Sequence, residues 1–137
     1  IAQGDNISTK LNVPPSKGHS LECRINAEDP ISFTPSPGTV TAYYAPGGPG
    51  VRVDSSLYTG YQVPPYYDSL IAKIITHGKN RQESISCMQR ALSEMKIEGI
   101  STNIALHQKI LSHRDFIDNN LSTRFLDFLF KAQPHAR

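Results

Sequence analysis

Gly18-His-Ser-Leu-Glu-Cys-Arg-Ile-Asn-Ala-Glu-Asp-Pro30 alternates in character along its length. His19, Leu21, Cys23, Ile25 and Ala27 fall on one side of a period-two pattern, and Ser20, Glu22, Arg24, Asn26 and Glu28 on the other. The period predicts a strand with one buried face. Its polar face presents Arg24 between Glu22 and Asn26, a guanidinium whose fork of donors suits a bicarbonate, phosphate or carbonyl oxygen and whose neighbours can fix its orientation. The alternation also describes an ordinary half-buried strand with a solvated face, and both readings stand at this point.

Upstream, residues 1–17 are polar and broken by Gly4 and by Pro14-Pro15, which predicts an extended connection with a short strand near Ile7 to Leu11. Downstream, Glu28-Asp-Pro30 and Pro35-Ser-Pro37 predict a loop. Thr39 to Tyr44 is β-branched and aromatic, and Pro46-Gly-Gly-Pro-Gly50 then reverses the chain into Val51-Arg-Val-Asp54, the pattern of a hairpin. Arg52 points away from the core there, as a solvent-facing arginine on an edge strand does.

Leu57 to Val63 and Ser69 to His77 predict further strands. The second is nearly all apolar except for Lys73, as for a strand covered on both faces. Pro64-Pro65 stiffens the connection between them, and Tyr66 and Tyr67 are expected to cover core edges. Asp68 has two readings: a cap bonded to turn amides, or a carboxylate that accepts from Arg24 and holds its orientation.

The final third changes period. Asn80-Arg-Gln-Glu83 has capping-box spacing, and Ile85, Met88, Leu92 and Met95 recur at helical intervals up to Gly99. Ser101 or Thr102 can cap a second helix whose inward face is Ile104, Leu106 or His107, Ile110 and Leu111, with His107 read as a packed residue and not a base. A third begins at Ser122 or Thr123 and carries Phe125, Leu126, Leu129 and Phe130. Strands first and helices last imply an α+β domain, an antiparallel sheet followed by a small set of C-terminal helices.

With 137 residues the chain fits one domain, and a formal net charge of +2 with interspersed signs leaves no basic stripe for nucleic acid. No apolar run approaches a membrane span. The two cysteines, Cys23 and Cys87, read as reduced, buried hydrophobes, and the five histidines lack ligand spacing, so no metal site is expected.

Taken in order and spacing, Gly18 to Pro30, Thr34-Pro-Ser-Pro-Gly38, Ala45-Pro-Gly-Gly-Pro-Gly-Val-Arg52 and Val63-Pro-Pro-Tyr-Tyr-Asp-Ser-Leu70 resemble the C-terminal domain of biotin carboxylase. The resemblance implies a domain over 18–132, with 1–17 as a linker leaving an upstream ATP-grasp domain and 133–137 as a tail. That family carboxylates biotin with bicarbonate and ATP through a carboxyphosphate. Its phosphate loop and metal-binding carboxylates do not occur here, so the chain resembles a piece of a longer polypeptide that by itself is expected to turn nothing over.

By the same resemblance, Arg24 matches the arginine that stabilises negative charge on the biotin ureido oxygen, with Glu22 and Asp68 as orienting residues. Arg52 matches an arginine of the homodimer interface, where Pro49 departs from an aromatic found in some members, and Thr123 matches the edge of the nucleotide pocket. The implied cofactors are biotin on its carrier protein and ATP with Mg2+, held mainly by the upstream domain. The implied partners are a second copy, the biotin carboxyl carrier protein and a carboxyltransferase. The reaction expected is the first half-reaction of acetyl-CoA carboxylase in fatty acid synthesis, in the bacterial cytoplasm, or in mitochondria if the source is eukaryotic. The alternative is a non-catalytic dimerisation and packing module of a propionyl-CoA, methylcrotonyl-CoA or pyruvate carboxylase.

Overall fold

In the computed structural model, which describes residues 3, 4 and 15–131, the long alternating stretch is a strand, β1 (His19–Asn26). It lies antiparallel to β6 (Leu70–Gly78), which pairs on its other side with β4 (Val51–Ser55), giving a three-stranded sheet in the order β1-β6-β4. Two small ladders complete the β structure. One joins β2 (Gly38–Thr39) to β5 (Gln62–Val63), and the other joins β3 (Ala42–Tyr44) to β7 (Lys96–Glu98). The helices are α1 (Arg81–Glu94), α2 (Ile104–Ser112), α3 (Arg114–Ile117) and α4 (Phe125–Lys131). The fold is α+β with antiparallel sheets, as the sequence predicts.

One face of the main sheet makes the core. Cys23, Ile25, Ala72 and Ile74 pack with Ile85, Met88, Ala91 and Leu92 of α1 in one cluster. Each fully buried large aliphatic side chain contributes about 1.5–3 kcal/mol, so the helix is held chiefly by its apolar stripe. Both methionines, Met88 and Met95, are core residues. At the start of α1 the Asn80 side chain accepts from the Glu83 amide at 2.9 Å, while the Glu83 carboxylate accepts from the Lys79 amide, one residue before the usual capping-box partner.

Several expectations are corrected. Residues 39–44 and 51–54 do not form a hairpin, because β3 pairs with β7 and β4 with β6. The Pro46–Gly50 tip is a crossover between sheets, and Arg90 of α1 donates to the Gly47 carbonyl at 3.3 Å to hold it. Strand β6 is covered mainly on one face: Ala72, Ile74 and Thr76 are buried, whereas on the other side Ile71 is buried, Lys73 and Ile75 are partly exposed and His77 is exposed. The α1 helix ends at Glu94, with Met95 extended, and the next three residues join β3, so Gly99 ends a strand and not a helix. Local periodicity could not foresee that, since the partner strand lies on the far side of β4, β5, β6 and α1 in the chain.

Of Leu57 to Val63 only Gln62–Val63 is strand. Tyr66 and Tyr67 cover no core edge, standing 87% and 80% exposed. The N-cap of α2 is Asn103, not Ser101 or Thr102, and α4 starts at Phe125. On α4 only Leu129 is buried, while Leu126 and Phe128 stay exposed. Cys87 is partly exposed and not a core residue. The short strand expected near Ile7 to Leu11 and the tail 133–137 lie outside the described residues.

Candidate functional site

Antiparallel partners project to the same side of a sheet, so the register defines the open face. Arg24 lies opposite Lys73, which lies opposite Asp54; one row along, Glu22 lies opposite Ile75 and Ile75 opposite Arg52. The polar half of β1 therefore merges with the polar half of β4 into one charged surface, which the core packing leaves facing outward. This is the only arrangement open to these strands once Cys23, Ile74 and Val53 turn inward as a row.

Arg24 is anchored at two levels. Its Nη2 lies 3.4 Å from Asp68 Oδ2, and the two side chains are 56% and 70% exposed. Asp68 also accepts from the Leu70 amide at 3.4 Å, so it caps the start of β6 and faces the guanidinium at once. The register slips between Ile25 and Asn26, where Ile25 faces Ala72 and Asn26 faces Leu70. This bulge lies at the same end of the sheet as Asp68. The main-chain carbonyl of Arg24 accepts from Asn103 Nδ2 at 3.1 Å and from His107 Nε2 at 2.9 Å.

Arg52 has a tighter partner, Asp54, two residues along the same strand: Nε to Oδ1 is 2.8 Å and Nη2 to Oδ2 is 2.9 Å. That bidentate bond lowers the Asp54 carboxyl below its ordinary value, with the Lys73 charge a smaller contributor, and raises Arg52. The fork uses Nε and Nη2, leaving one terminal nitrogen for other contacts. Sequence reading missed Asp54, although opposite charges two apart on a strand share a face.

Glu22 sits on the same face as Arg24 but makes no hydrogen bond to it among the described residues. Thr123 is exposed in the turn before α4, and among the described residues no hydrogen bond joins it to Arg24 or Asp68. Asn103 and His107 were also missed as neighbours of Arg24. The one signal in the chain was an asparagine at a helix start, which ordinarily means a cap.

The open hollow lined by Lys17, Pro49, His77, Lys79, Glu83 and Cys87 is at the far end of the sheet from Asp68 and does not include Arg24. Among the described residues, no three His, Cys, Asp or Glu side chains are grouped to hold a metal ion, and no helix is long and apolar enough to cross a membrane. A guanidinium with one weak carboxylate contact and its remaining donors facing outward fits an anionic oxygen carried by a group that docks on this surface.

The family model of the biotin carboxylase C-terminal domain matches residues 22–128. The chain is 52% identical to biotin carboxylase 1 of Bacillus subtilis over 128 residues, 93% of this chain and 28% of that protein. It is 46% identical to a pyruvate carboxylase component of Methanothermobacter thermautotrophicus, again over 93% of this chain and 26% of that protein. Among solved structures, it matches the dimeric biotin carboxylase domain of Hydrogenobacter thermophilus 2-oxoglutarate carboxylase, in complex with MgADP, ADP and bicarbonate. That match has a TM-score of 0.82 at 39% identity and covers 96% of this chain and 30% of that one. The chain spans less than a third of the length of each of these proteins.

Proposed function

The chain belongs to the biotin carboxylase C-terminal domain family, and we propose that it serves a complete ATP-dependent biotin carboxylase by supplying the guanidinium of Arg24 to the carboxylation of biotin. The observation that carries this is the placement of Arg24 on an open charged face, held from one side by Asp68 and with donors left over. When bound, biotin supplies a ureido group whose nitrogen takes up the carboxyl group and whose oxygen gains negative charge as that nitrogen loses its proton. Arg24 would hold this oxygen more strongly as charge grows than in neutral biotin, the condition for lowering a barrier instead of only binding.

Bicarbonate, ATP and Mg2+ are the further substrates and cofactors proposed, handled mainly by the part of the enzyme outside this chain; Thr123 would touch the edge of the nucleotide pocket. Glu22 and Asp68 would orient Arg24. The domain by itself is proposed to release no ADP. Biotin would arrive on a carrier protein and leave to a carboxyltransferase. The acyl acceptor proposed is acetyl-CoA, for fatty acid synthesis in the cytoplasm. Relatives named as pyruvate and 2-oxoglutarate carboxylases keep other acceptors in view.

A second reading is favoured by the Arg52 and Asp54 fork, which presents a preorganised cation on the same face. Here the domain is a dimerisation and packing module, and the dimer named for the Hydrogenobacter thermophilus relative supports it. The test is bicarbonate- and biotin-dependent ADP formation by the complete polypeptide with Arg24→Ala or Arg52→Ala, with native mass and circular dichroism recorded for each. Loss of about a hundredfold or more in rate for Arg24→Ala at unchanged mass supports the catalytic reading. A near-normal rate for Arg24→Ala, with Arg52→Ala halving the mass, supports the module.

A further inference from the structure

Asn103 occupies the N-cap of α2, where an asparagine ordinarily turns its oxygen onto the second or third amide of its own helix, yet it makes no such bond. Its side chain goes to β1 instead. Oδ1 accepts from the Asn26 amide at 2.9 Å, Nδ2 donates to the Arg24 carbonyl at 3.1 Å, and the Asn103 amide donates to the Asn26 carbonyl at 3.3 Å. One turn later, His107 Nε2 lies 2.9 Å from the same Arg24 carbonyl. A carbonyl only accepts, so Nε2 carries the proton there.

These bonds fall on one edge. Among the described residues β1 is the outer strand of the sheet, and β6 pairs with one side of it. Arg24 and Asn26, two residues apart, turn main-chain groups to the other side, where Asn103 and His107 meet them. This is also where pairing with β6 slips, between Ile25 and Asn26. A bulge is where a strand bends most readily, and among the described residues the guanidinium beyond it is steadied only by an exposed 3.4 Å ion pair of the kind worth little by itself. The direction of the Arg24 side chain must therefore come from its backbone, and Asn103, 6% exposed, holds that backbone away from competing water.

We propose that Asn103 and His107 are positioning residues for Arg24, clamping the peptide that follows it so that the guanidinium points at the developing charge. The inference rests on the catalytic reading of Arg24 and deepens it. It also accounts for the helix that forgoes its own cap: the asparagine amide carries a separate donor and acceptor, so Nδ2 donates to Arg24 while Oδ1 accepts from Asn26.

The test compares Asn103→Ala, His107→Leu and His107→Gln with Arg24→Ala in the complete polypeptide, by ADP formation with and without biotin. Expected is a fall of about tenfold in the ratio of biotin-dependent to biotin-independent ADP formation for Asn103→Ala and His107→Leu. His107→Gln, whose amide still donates, should restore most of it. Equal loss of both rates, leaving the ratio unchanged, would show a merely structural tie and overturn the proposal. If Arg24→Ala abolishes the biotin-dependent rate while the other three leave the ratio at the parent value, the clamp is wrong and the reading of Arg24 stands. If Arg24→Ala itself leaves that rate intact, both fall. Should Asn103→Ala not fold, the pair of His107 variants decides, because that side chain is only partly buried.

Discussion

Arg24 and Asp68, 44 residues apart in sequence, meet with Nη2 3.4 Å from Oδ2, and the same carboxylate accepts from the Leu70 amide at the head of β6. The two readings of Asp68 are thus not exclusive. One oxygen organises the turn and the other faces the guanidinium. Both side chains are more than half exposed, so the contact orients more than it stabilises.

Asp68→Asn should accordingly leave the unfolding free energy within about 1 kcal/mol of the parent, the ceiling for exposed pairs. It should nonetheless lower the biotin-dependent rate of the complete enzyme severalfold. Urea denaturation and steady-state kinetics on the same preparation check this. An unchanged rate would remove Asp68 from the orientation of Arg24.

Gly99 follows β7 with a φ of +94°, and a methyl group there would collide with the Thr39 carbonyl oxygen. Gly99→Ala meets both an unfavourable backbone region and backbone atoms that cannot rotate away. It should destabilise the domain by about 3 kcal/mol, read as a shifted denaturation midpoint, and the β3-β7 ladder should be the first structure to lose amide protection.

The two thiols should differ in reactivity. Burial, with a smaller push from the neighbouring Glu22 charge, raises Cys23 from 9.0 to about 12, whereas Cys87 is partly exposed. Alkylation of the native protein at about pH 8, below the ordinary thiol range, should modify Cys87 and spare Cys23, and mass spectrometry of peptides would show it. The linkage has a definite sign. The folded state keeps the Cys23 proton that the unfolded state releases, so this contribution to stability is intact below pH 9.0 and is lost as pH rises toward about 12. A Cys23→Ala variant should lack that alkaline component of the stability profile.

Much of this molecule was legible in the chain itself. The period of two from His19 to Asn26, the helical recurrence of Ile85, Met88 and Leu92, and the change from strands to helices depend on neighbours within a few residues, and burial follows from them. The outward placement of Arg24 and Arg52 was legible for the same reason, since an inward row of buried Cys23 and half-buried Val53 forces their neighbours out. Tertiary structure alone decided which strands pair: residues 96–98 leave a helical pattern to join β3, and the expected hairpin opens into two different ladders. It also sent the Asn103 side chain to β1, where it meets the Asn26 amide and the Arg24 carbonyl. These outcomes arise because a main-chain donor or acceptor is satisfied by whatever partner the whole fold brings within about 3 Å, and the sequence, read along its length, contains the groups but not that distance.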